Sequence, residues 1–246
     1  MLDEQYKHGE YLQKVPDWHA GDSPWKARKV LRILKQNNIQ ARSIADVGCG
    51  AGEILARLQQ QLPDGTHFVG YDISPQAIAI CENKSNDALQ FRNVDFLNAD
   101  TQTFDVVLVL DVFEHVSNYL DFIYRLRARS EYFVFHIPLD INVEAVFRQS
   151  RPIMEMRTTY GHLHYFTTET ALATLKDAGY TIEDCIFTWD REISGVLWMP
   201  PGLWRKCKHL VRMVLYAIEK TAFRWRPATL ARFRKGYNLL VLAKSS

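Results

Sequence analysis

The chain has 246 residues, of which 47% are hydrophobic and 24% charged, and its formal net charge is +2. This is the composition of an ordinary globular protein. A basic start followed by an apolar run is missing, as is a stretch of about 18 uncharged apolar residues, so we expect a cytoplasmic protein without a signal peptide or membrane span. The four cysteines show no CxxC spacing, which argues against a disulfide framework or a zinc site.

The two ends of the chain differ strongly in charge. Residues 1–194 carry 19 Lys and Arg against 27 Asp and Glu, whereas residues 195–246 carry 11 against 1. The sequence therefore predicts an acidic body with a cationic C-terminal segment.

Apolar runs and helical spacings alternate along the chain. A helix is expected to begin near Pro24, and further helices are predicted at 53–62, 74–83, 116–130 and 167–180. Strands are predicted at 43–48, 66–72, 89–95, 104–111, 131–138, 181–190 and 237–246.

This alternation predicts an α/β fold with a doubly wound, mostly parallel sheet. We divide the chain into an N-terminal helical segment over the site (1–42), an α/β core (43–194), a cationic helical insert (195–236) and a final core strand (237–246). Function in such a sheet lies at the carboxyl ends of the strands, where the motifs described below fall.

The stretch DVGCGAGE at 46–53 predicts a tight turn between the first strand and the next helix. Its glycines do not follow the GxGxxG register of dinucleotide sites, and its flanking carboxylates would repel a pyrophosphate. About twenty residues on, Asp72 closes the second strand, where a carboxylate can accept both hydroxyls of a ribose. Asp95 suits an exocyclic amine, and Phe96 can stack on a flat ring. These features favour an adenosine ligand with a positively charged tail.

The ordered motifs DVGCGAG, GYDIS, NVDF and FDVVLVLDVFEHV resemble the signature series of class I S-adenosylmethionine-dependent methyltransferases, in particular a small-molecule group whose fourth motif reads DVFEHV. The resemblance covers roughly residues 40–190 and the final strand. It implies a seven-stranded Rossmann-like sheet with an antiparallel final strand and S-adenosylmethionine as the cofactor.

The resemblance also implies roles for individual residues. The glycines would line the methionine moiety, and Asp46 would support its ammonium group. The ribose would bind Asp72, and the adenine would contact Ile73, Asp95 and Phe96. Asp111 would face the methionine end near the substrate. In this sequence the three glycines are Gly48, Gly50 and Gly52.

The sequence indicates the residues that act on the methyl acceptor less clearly than those that bind the cofactor. A base is needed only if the acceptor is an alcohol or ammonium, and we take His115, His164 and Asp111 as the candidate catalytic residues. The alternative for Glu114 and His115 is that they tie their loop to the fold. His162 and His164 form an HxH pair that could bind a metal with Asp111 or His136, but no third ligand is fixed, and we predict no metal.

Two further segments carry open alternatives. Aromatic and histidine side chains ahead of the first helix either close over the site or pack on the sheet; they are Tyr6, Tyr11, Trp18, His19 and Trp25. In the insert, apolar residues share one helical face and basic residues the other. The apolar set is Leu203, Cys207, Leu210, Val211, Val214 and Ile218. This face packs on its own domain or a second subunit, or it lies on a membrane; nucleic-acid binding is the least favoured interpretation.

The sequence thus predicts methyl transfer from S-adenosylmethionine to a small molecule. Oxygen is the favoured acceptor atom, in a sugar, a lipid-linked intermediate or another metabolite, and the segment 203–235 is a candidate for peripheral membrane contact. The alternatives are a nicotinamide-dependent oxidoreductase and a non-catalytic cofactor-binding scaffold at a membrane or nucleic acid. The oligomeric state is not predicted.

Overall fold

The computed structural model describes residues 18, 20–99, 102–189 and 203–245, with all their side chains except those of 203–209 and 212. The strands are β1 (Ser43–Val47), β2 (His67–Asp72), β3 (Leu89–Asn93), β4 (Phe104–Leu110), β5 (Ser130–Pro138), β6 (Tyr180–Trp189) and β7 (Tyr237–Ser245). The helices are α1 (Ser23–Gln36), α2 (Glu53–Gln59), α3 (Pro75–Cys81), α4 (Tyr119–Leu126), α5 (Val143–Phe147), α6 (Arg151–Thr159), α7 (Thr168–Asp177), α8 (Leu203–Trp225) and α9 (Pro227–Phe233).

The described strands form one seven-stranded sheet in the order β3-β2-β1-β4-β5-β7-β6. Strands β1 to β5 pair in parallel, and β7 pairs antiparallel with both β5 and β6. The predicted mostly parallel sheet with an antiparallel final strand is confirmed. Because the order reverses between β1 and β4, a crevice is expected at the carboxyl ends of these two strands.

Strand β4 shows why the chain folds this way. Every residue of β4 except Asp105 is buried, as expected for a central strand covered on both faces. Val107 and Val109 belong to the hydrophobic core on one face of the sheet, and Val106 and Leu108 to the core on the other. The continuous apolar run is therefore shared between two helical layers.

Two predicted helix starts are confirmed by their hydrogen bonds. The Ser74 hydroxyl accepts from the Ala77 amide at 3.3 Å, and Pro75 occupies the first position of α3. Thr167 and Thr170 form a reciprocal capping box at the start of α7. Within the part of the chain that the structure describes, no helix is long and apolar enough to cross a membrane.

The described part of the insert consists of α8 and α9. Helix α8 packs on the ends of β6 and β7 through Tyr216, Glu219 and Phe223. Leu210, Val211, Val214 and Ile218 belong to the predicted apolar face and are all more than half exposed. For these four residues, the interpretation that the apolar face packs on its own domain is wrong. The side chains of Leu203 and Cys207, the other members of that face, lie outside the described set.

Candidate active site

The glycine turn between β1 and α2 has the predicted tight geometry. Gly48, Gly50 and Gly52 have φ angles of +71°, +52° and +72°, in the region that favours glycine. A Cβ atom on Gly48 would lie 2.8 Å from Val112, and one on Gly52 would lie 2.6 Å from the Phe91 ring. These two glycines are therefore required by close packing of protein atoms, as well as by their backbone angles.

Asp72, the last residue of β2, joins its strand to the glycine turn. Its Oδ2 accepts a hydrogen bond from the Gly50 amide at 2.9 Å, and its Oδ1 accepts one from the Ser74 amide at 2.8 Å. Burial raises the pKa of this carboxyl, while the two amides act in the opposite direction. Since each carboxylate oxygen has two acceptor sites, both keep capacity for a ligand hydroxyl.

Asp46 lies in β1, directly before the turn, and is 2% exposed. Burial, with the nearby charge of Asp72, raises the pKa of Asp46 to about 8, and Lys26 opposes this shift. The carboxyl therefore carries a proton at neutral pH when the site holds no ligand. A cation placed beside it would favour loss of that proton.

Asp111, at the end of β4, is held by two basic side chains. Its Oδ2 accepts from the Lys26 ammonium at 2.7 Å, and its Oδ1 lies 2.5 Å from Nδ1 of His136. The other ring nitrogen of His136 lies 2.8 Å from the Thr188 hydroxyl. Burial alone would raise the pKa of Asp111, but the charges of His136 and Lys26 outweigh it and hold the pKa well below its usual range.

This network joins four elements, because Lys26 comes from α1, His136 from β5 and Thr188 from β6. Asp111 also has a φ of +56°, which is unusual for a residue other than glycine. Asp111 and His136 were identified from the sequence as candidate site residues, whereas Lys26 and Thr188 were not. Partners 85 and 52 residues away leave no local pattern that would reveal them.

A second cluster lies just beyond β4, where Glu114, His115 and His162 approach one another. Ligand-type atoms of the three side chains all lie within 4.8 Å of one another, a spacing that could hold a metal ion. Glu114 is fully buried, and neither of its carboxylate oxygens has a hydrogen-bond partner among the described residues, although the Nε2 of His115 lies 3.8 Å from Oε1. Burial, then the charges of Asp111 and Asp140, raise the pKa of Glu114 well above its usual value.

The two histidines of the HxH pair have different surroundings. His162 is 8% exposed, its Nδ1 lies 2.7 Å from a carboxylate oxygen of Asp140, and its ring centroid is 4.9 Å from that of His115. The Nε2 of His164 instead lies 3.0 Å from the Val116 carbonyl oxygen, and its ring packs on Tyr119. His162 is thus the histidine that joins the cluster, and His164 attaches the loop to the start of α4.

The adenine side differs from the prediction at one residue. Asp95 accepts from the Leu97 amide and the Asn98 side chain, which fixes its turn. The Phe96 ring is 1% exposed and packs against Tyr71, with the Arg129 guanidinium 4.5 Å from its centroid. The expectation that this ring stacks on a flat ligand does not fit the structure, because the core encloses it. Ile73, by contrast, is only partly buried.

The N-terminal aromatics are partly accounted for. Trp18 lies against the glycine turn, since its atoms would be 3.8 Å from a Cβ on Gly50. Trp25 is buried and contacts the His136 ring edge-on at 5.7 Å. Tyr6, Tyr11 and His19 lie outside the described residues.

Comparisons with known proteins agree with this fold. A model of the methyltransferase-domain family matches residues 18–184. The chain therefore belongs to the methyltransferase-domain family. This confirms the predicted enzyme class, an S-adenosylmethionine-dependent methyltransferase of class I.

Two curated relatives and one solved structure are among the similar proteins. The chain is 28% identical over 89 residues to a ubiquinone biosynthesis O-methyltransferase of Coxiella burnetii, covering 34% of this chain and 37% of the relative. It is 34% identical over 97 residues to one of Rhodopseudomonas palustris, covering 37% and 36%. The chain thus spans little more than a third of the length of these relatives.

The solved structure is the magnesium protoporphyrin IX methyltransferase of Synechocystis PCC 6803 with bound S-adenosylhomocysteine. It superposes with a TM-score of 0.58 at 16% identity and covers 94% of this chain and 86% of its own. At this identity the similarity shows the fold.

Proposed function

We propose that the protein transfers a methyl group from S-adenosylmethionine to an oxygen atom of a small molecule. The observation that carries the proposal is the pairing of Asp72 with the glycine turn, beside the buried carboxyl of Asp46. The Asp72 carboxylate suits a ribose, and Asp46, which is favoured to lose its proton beside a positive charge, suits a cationic tail. Lys26, the nearby cation, is already bonded to Asp111.

In this proposal the cofactor lies across the carboxyl ends of β1 and β2. Asp72 accepts the ribose hydroxyls, Ile73 packs on the adenine, and Asp95 accepts its amine. Gly48, Gly50 and Gly52 surround the methionine portion, Asp46 faces its ammonium group, and Asp111 lies at the methionine end. Bound here, S-adenosylmethionine supplies an activated methyl group.

The protein's own contribution to the reaction is mainly orientation, since the sulfonium already activates the methyl group. An alcohol acceptor also loses a proton, and a histidine beside the acceptor can take it. His115 remains the first candidate for this base. His162 is the second candidate for this base, because Asp140 can hold its ring as a carboxylate holds the histidine of a catalytic dyad. We assign His164 to positioning the loop.

Two observations support an oxygen acceptor. The histidine cluster provides a base that a free amine would not need, and the two curated relatives described above are named O-methyltransferases. The acceptor is a sugar, a lipid-linked intermediate or another metabolite. We also propose that the enzyme works in the cytoplasm and contacts a membrane peripherally through the segment 203–235.

A metal-assisted variant is the second candidate mechanism for the acceptor side. It is favoured by the two buried oxygens of Glu114, which have no hydrogen-bond partner among the described residues and lie close to His115 and His162. These three side chains fit a divalent cation in ligand type. Such an ion would polarise the acceptor oxygen, and the histidines would then serve as ligands.

The experiment that tests the proposal is turnover with radiolabelled S-adenosylmethionine on a panel of phenols, sugars, amines and lipid-linked acceptors. We expect labelled product and S-adenosylhomocysteine with at least one hydroxyl acceptor, and loss of turnover in Asp72→Ala. Repeating the assay with a chelator and with added Mg²⁺ separates the two mechanisms. Tight cofactor binding without transfer to any acceptor would instead support a non-catalytic scaffold, and transfer only to amines would contradict the oxygen assignment.

A further inference from the structure

Helix α8 has two different apolar faces, and among the residues that the structure describes only one of these faces has a packing partner. On the inner face Tyr216 stacks on Trp189 with ring centroids 5.3 Å apart, and Phe223 stacks on Tyr237 at 5.5 Å. Between these rings, Glu219 accepts a hydrogen bond from the Tyr237 hydroxyl at 2.9 Å. The orientation of α8 about its own axis is therefore fixed by the ends of β6 and β7.

The outer face is aliphatic and open. Its side chains recur at spacings of three, four and seven residues and therefore share one side of the helix. Each is more than half exposed; they are the aliphatic residues Leu210, Val211, Val214, Leu215 and Ile218, followed by the aromatic Trp225 at the end of the helix. A continuous apolar stripe of this kind is uncommon on a monomer surface and marks an interaction site.

This stripe lies at the edge of the sheet that holds the candidate active site. Asn238, at the start of β7, is paired with Pro138 at the carboxyl end of β5 and with Thr188 near the end of β6. Helices α5 and α9 contact each other at the same edge. They enclose an apolar groove of about 460 Å³, and beside it Phe147 is 88% exposed.

The charge of the segment selects among the partners that could cover this surface. Residues 203–235 contain ten Lys and Arg and one Glu, and Lys220, Arg224 and Arg226 are exposed. A symmetric contact with a second copy would bring two cationic surfaces together. A nucleic acid would leave the aliphatic stripe uncovered, whereas an anionic lipid surface satisfies both the apolar and the cationic features.

We propose that α8 lies in the interface of an anionic membrane, with its outer aliphatic stripe among the acyl chains and its cations at the head groups. The inference rests on the proposed membrane contact and names the face that makes it. This orientation turns the edge that carries Asp111, Glu114 and His162 toward the lipid surface, so an acceptor dissolved in the membrane would reach the site from there.

The test is sedimentation of the full-length protein with phosphatidylcholine vesicles that either contain or lack phosphatidylglycerol. We expect binding only to the anionic vesicles. The double variant Val214→Asp and Ile218→Asp should bind at least tenfold more weakly, because two apolar side chains no longer enter the lipid. The double variant Arg224→Glu and Arg226→Glu should bind roughly 30-fold more weakly or worse.

Two control variants match these changes. Arg32→Glu with Lys35→Glu makes the same charge change on exposed positions of α1, and Leu120→Asp alters an exposed aliphatic residue of α4. Both should bind vesicles like the wild type. S-adenosylmethionine affinity, measured on the same samples, should be unchanged throughout, which separates failure of this inference from failure of the methyltransferase proposal.

Several outcomes would overturn the membrane assignment. They are no binding to anionic vesicles, equal losses in the control and test variants, or vesicle binding that persists in both test variants. A dimer in solution that the Val214 and Ile218 changes dissociate would assign the stripe to a second copy. Binding to RNA without binding to vesicles would assign the cations to nucleic acid.

Discussion

The carboxyl ends of β1 and β2 are built differently from those of β4 and β5. At the first pair, Asp72 is bonded to backbone amides of residues at most 22 positions away. At the second pair, Asp111 and Glu114 are surrounded by side chains from distant elements. A site made from backbone and a local motif recognises an invariant ligand, while a site made from long-range side-chain contacts can differ between enzymes that share a cofactor.

The largest expected effect is a loss of stability when a carboxylate at the carboxyl ends of β4 and β5 is removed. Asp111→Ala leaves the Lys26 and His136 groups without their shared carboxylate, and we expect the free energy of unfolding to fall by about 3 kcal/mol. Chemical denaturation measures this change. Asp121→Ala, which breaks the exposed pair with Arg125, is the control and should stay within about 0.5 kcal/mol. Equal losses in both variants would show that the Asp111 network stabilises the fold no more than an exposed ion pair does.

The corresponding change on the β1–β2 side should affect binding more than stability. Asp72→Ala removes the proposed acceptor of two ribose hydroxyls, and we expect S-adenosylmethionine affinity to fall about 100-fold. Asp105 is a matched control, because its carboxylate accepts from the amides of Arg42 and Ser43 at the opposite edge of the sheet. Asp105→Ala should leave the affinity unchanged, and an equal loss there would point to a general effect on the fold.

Proton linkage at Asp46 gives a smaller, pH-dependent effect. The pKa of Asp46 is raised to about 8 without ligand, so a cation bound beside it must displace a proton at any lower pH. We expect S-adenosylmethionine affinity to rise by up to about tenfold per pH unit as the pH increases toward 8, and then to level off. Calorimetry in buffers of different ionisation enthalpy should detect proton release near pH 7. Asp46→Asn should abolish the slope, and a slope that persists would place the ammonium group elsewhere.

Glu114 provides the smallest effect and the sharpest test of its protonation. Because its pKa is raised in the folded state, its stabilising contribution is present at low pH and is lost as the pH rises through the folded pKa. Glu114→Gln imitates the protonated acid, so near pH 4, where the carboxyl is largely protonated in both the folded and the unfolded chain, we expect stability to change by less than about 0.5 kcal/mol. The variant should then become more stable than the wild type as the pH rises from the ordinary Glu range toward the folded pKa, because only the wild type loses a proton on unfolding there. A large loss at pH 7, mirrored by a chelator, would instead indicate an ionised Glu114 that binds a metal.

The same contrast explains what the sequence could predict. The positions of the strands, the glycine turn and the cap at Ser74 follow from short-range patterns, so they could be predicted. Lys26, Thr188 and the pairing of His162 with Asp140 depend on contacts across the fold and left no signal in the chain. Helices α5 and α6 were missed because few of their residues are buried, which leaves weak periodicity.

The insert shows a further limit of sequence patterns. Its apolar periodicity predicted an amphipathic helix, and α8 is one. The face that packs on the sheet, however, is the one with Tyr216, Glu219 and Phe223 rather than the aliphatic one. Periodicity identifies an apolar face, but the partner of that face depends on the aromatic residues that the rest of the fold presents, here Trp189 and Tyr237.

The central claim is that the carboxylates at the ends of β1 and β2 bind S-adenosylmethionine. The most direct test is a calorimetric titration of the full chain with S-adenosylmethionine and, in parallel, with NAD. We expect saturable binding of S-adenosylmethionine that is lost in Asp72→Ala, and no binding of NAD. Binding of NAD alone, or binding of S-adenosylmethionine that Asp72→Ala leaves unchanged, would contradict it.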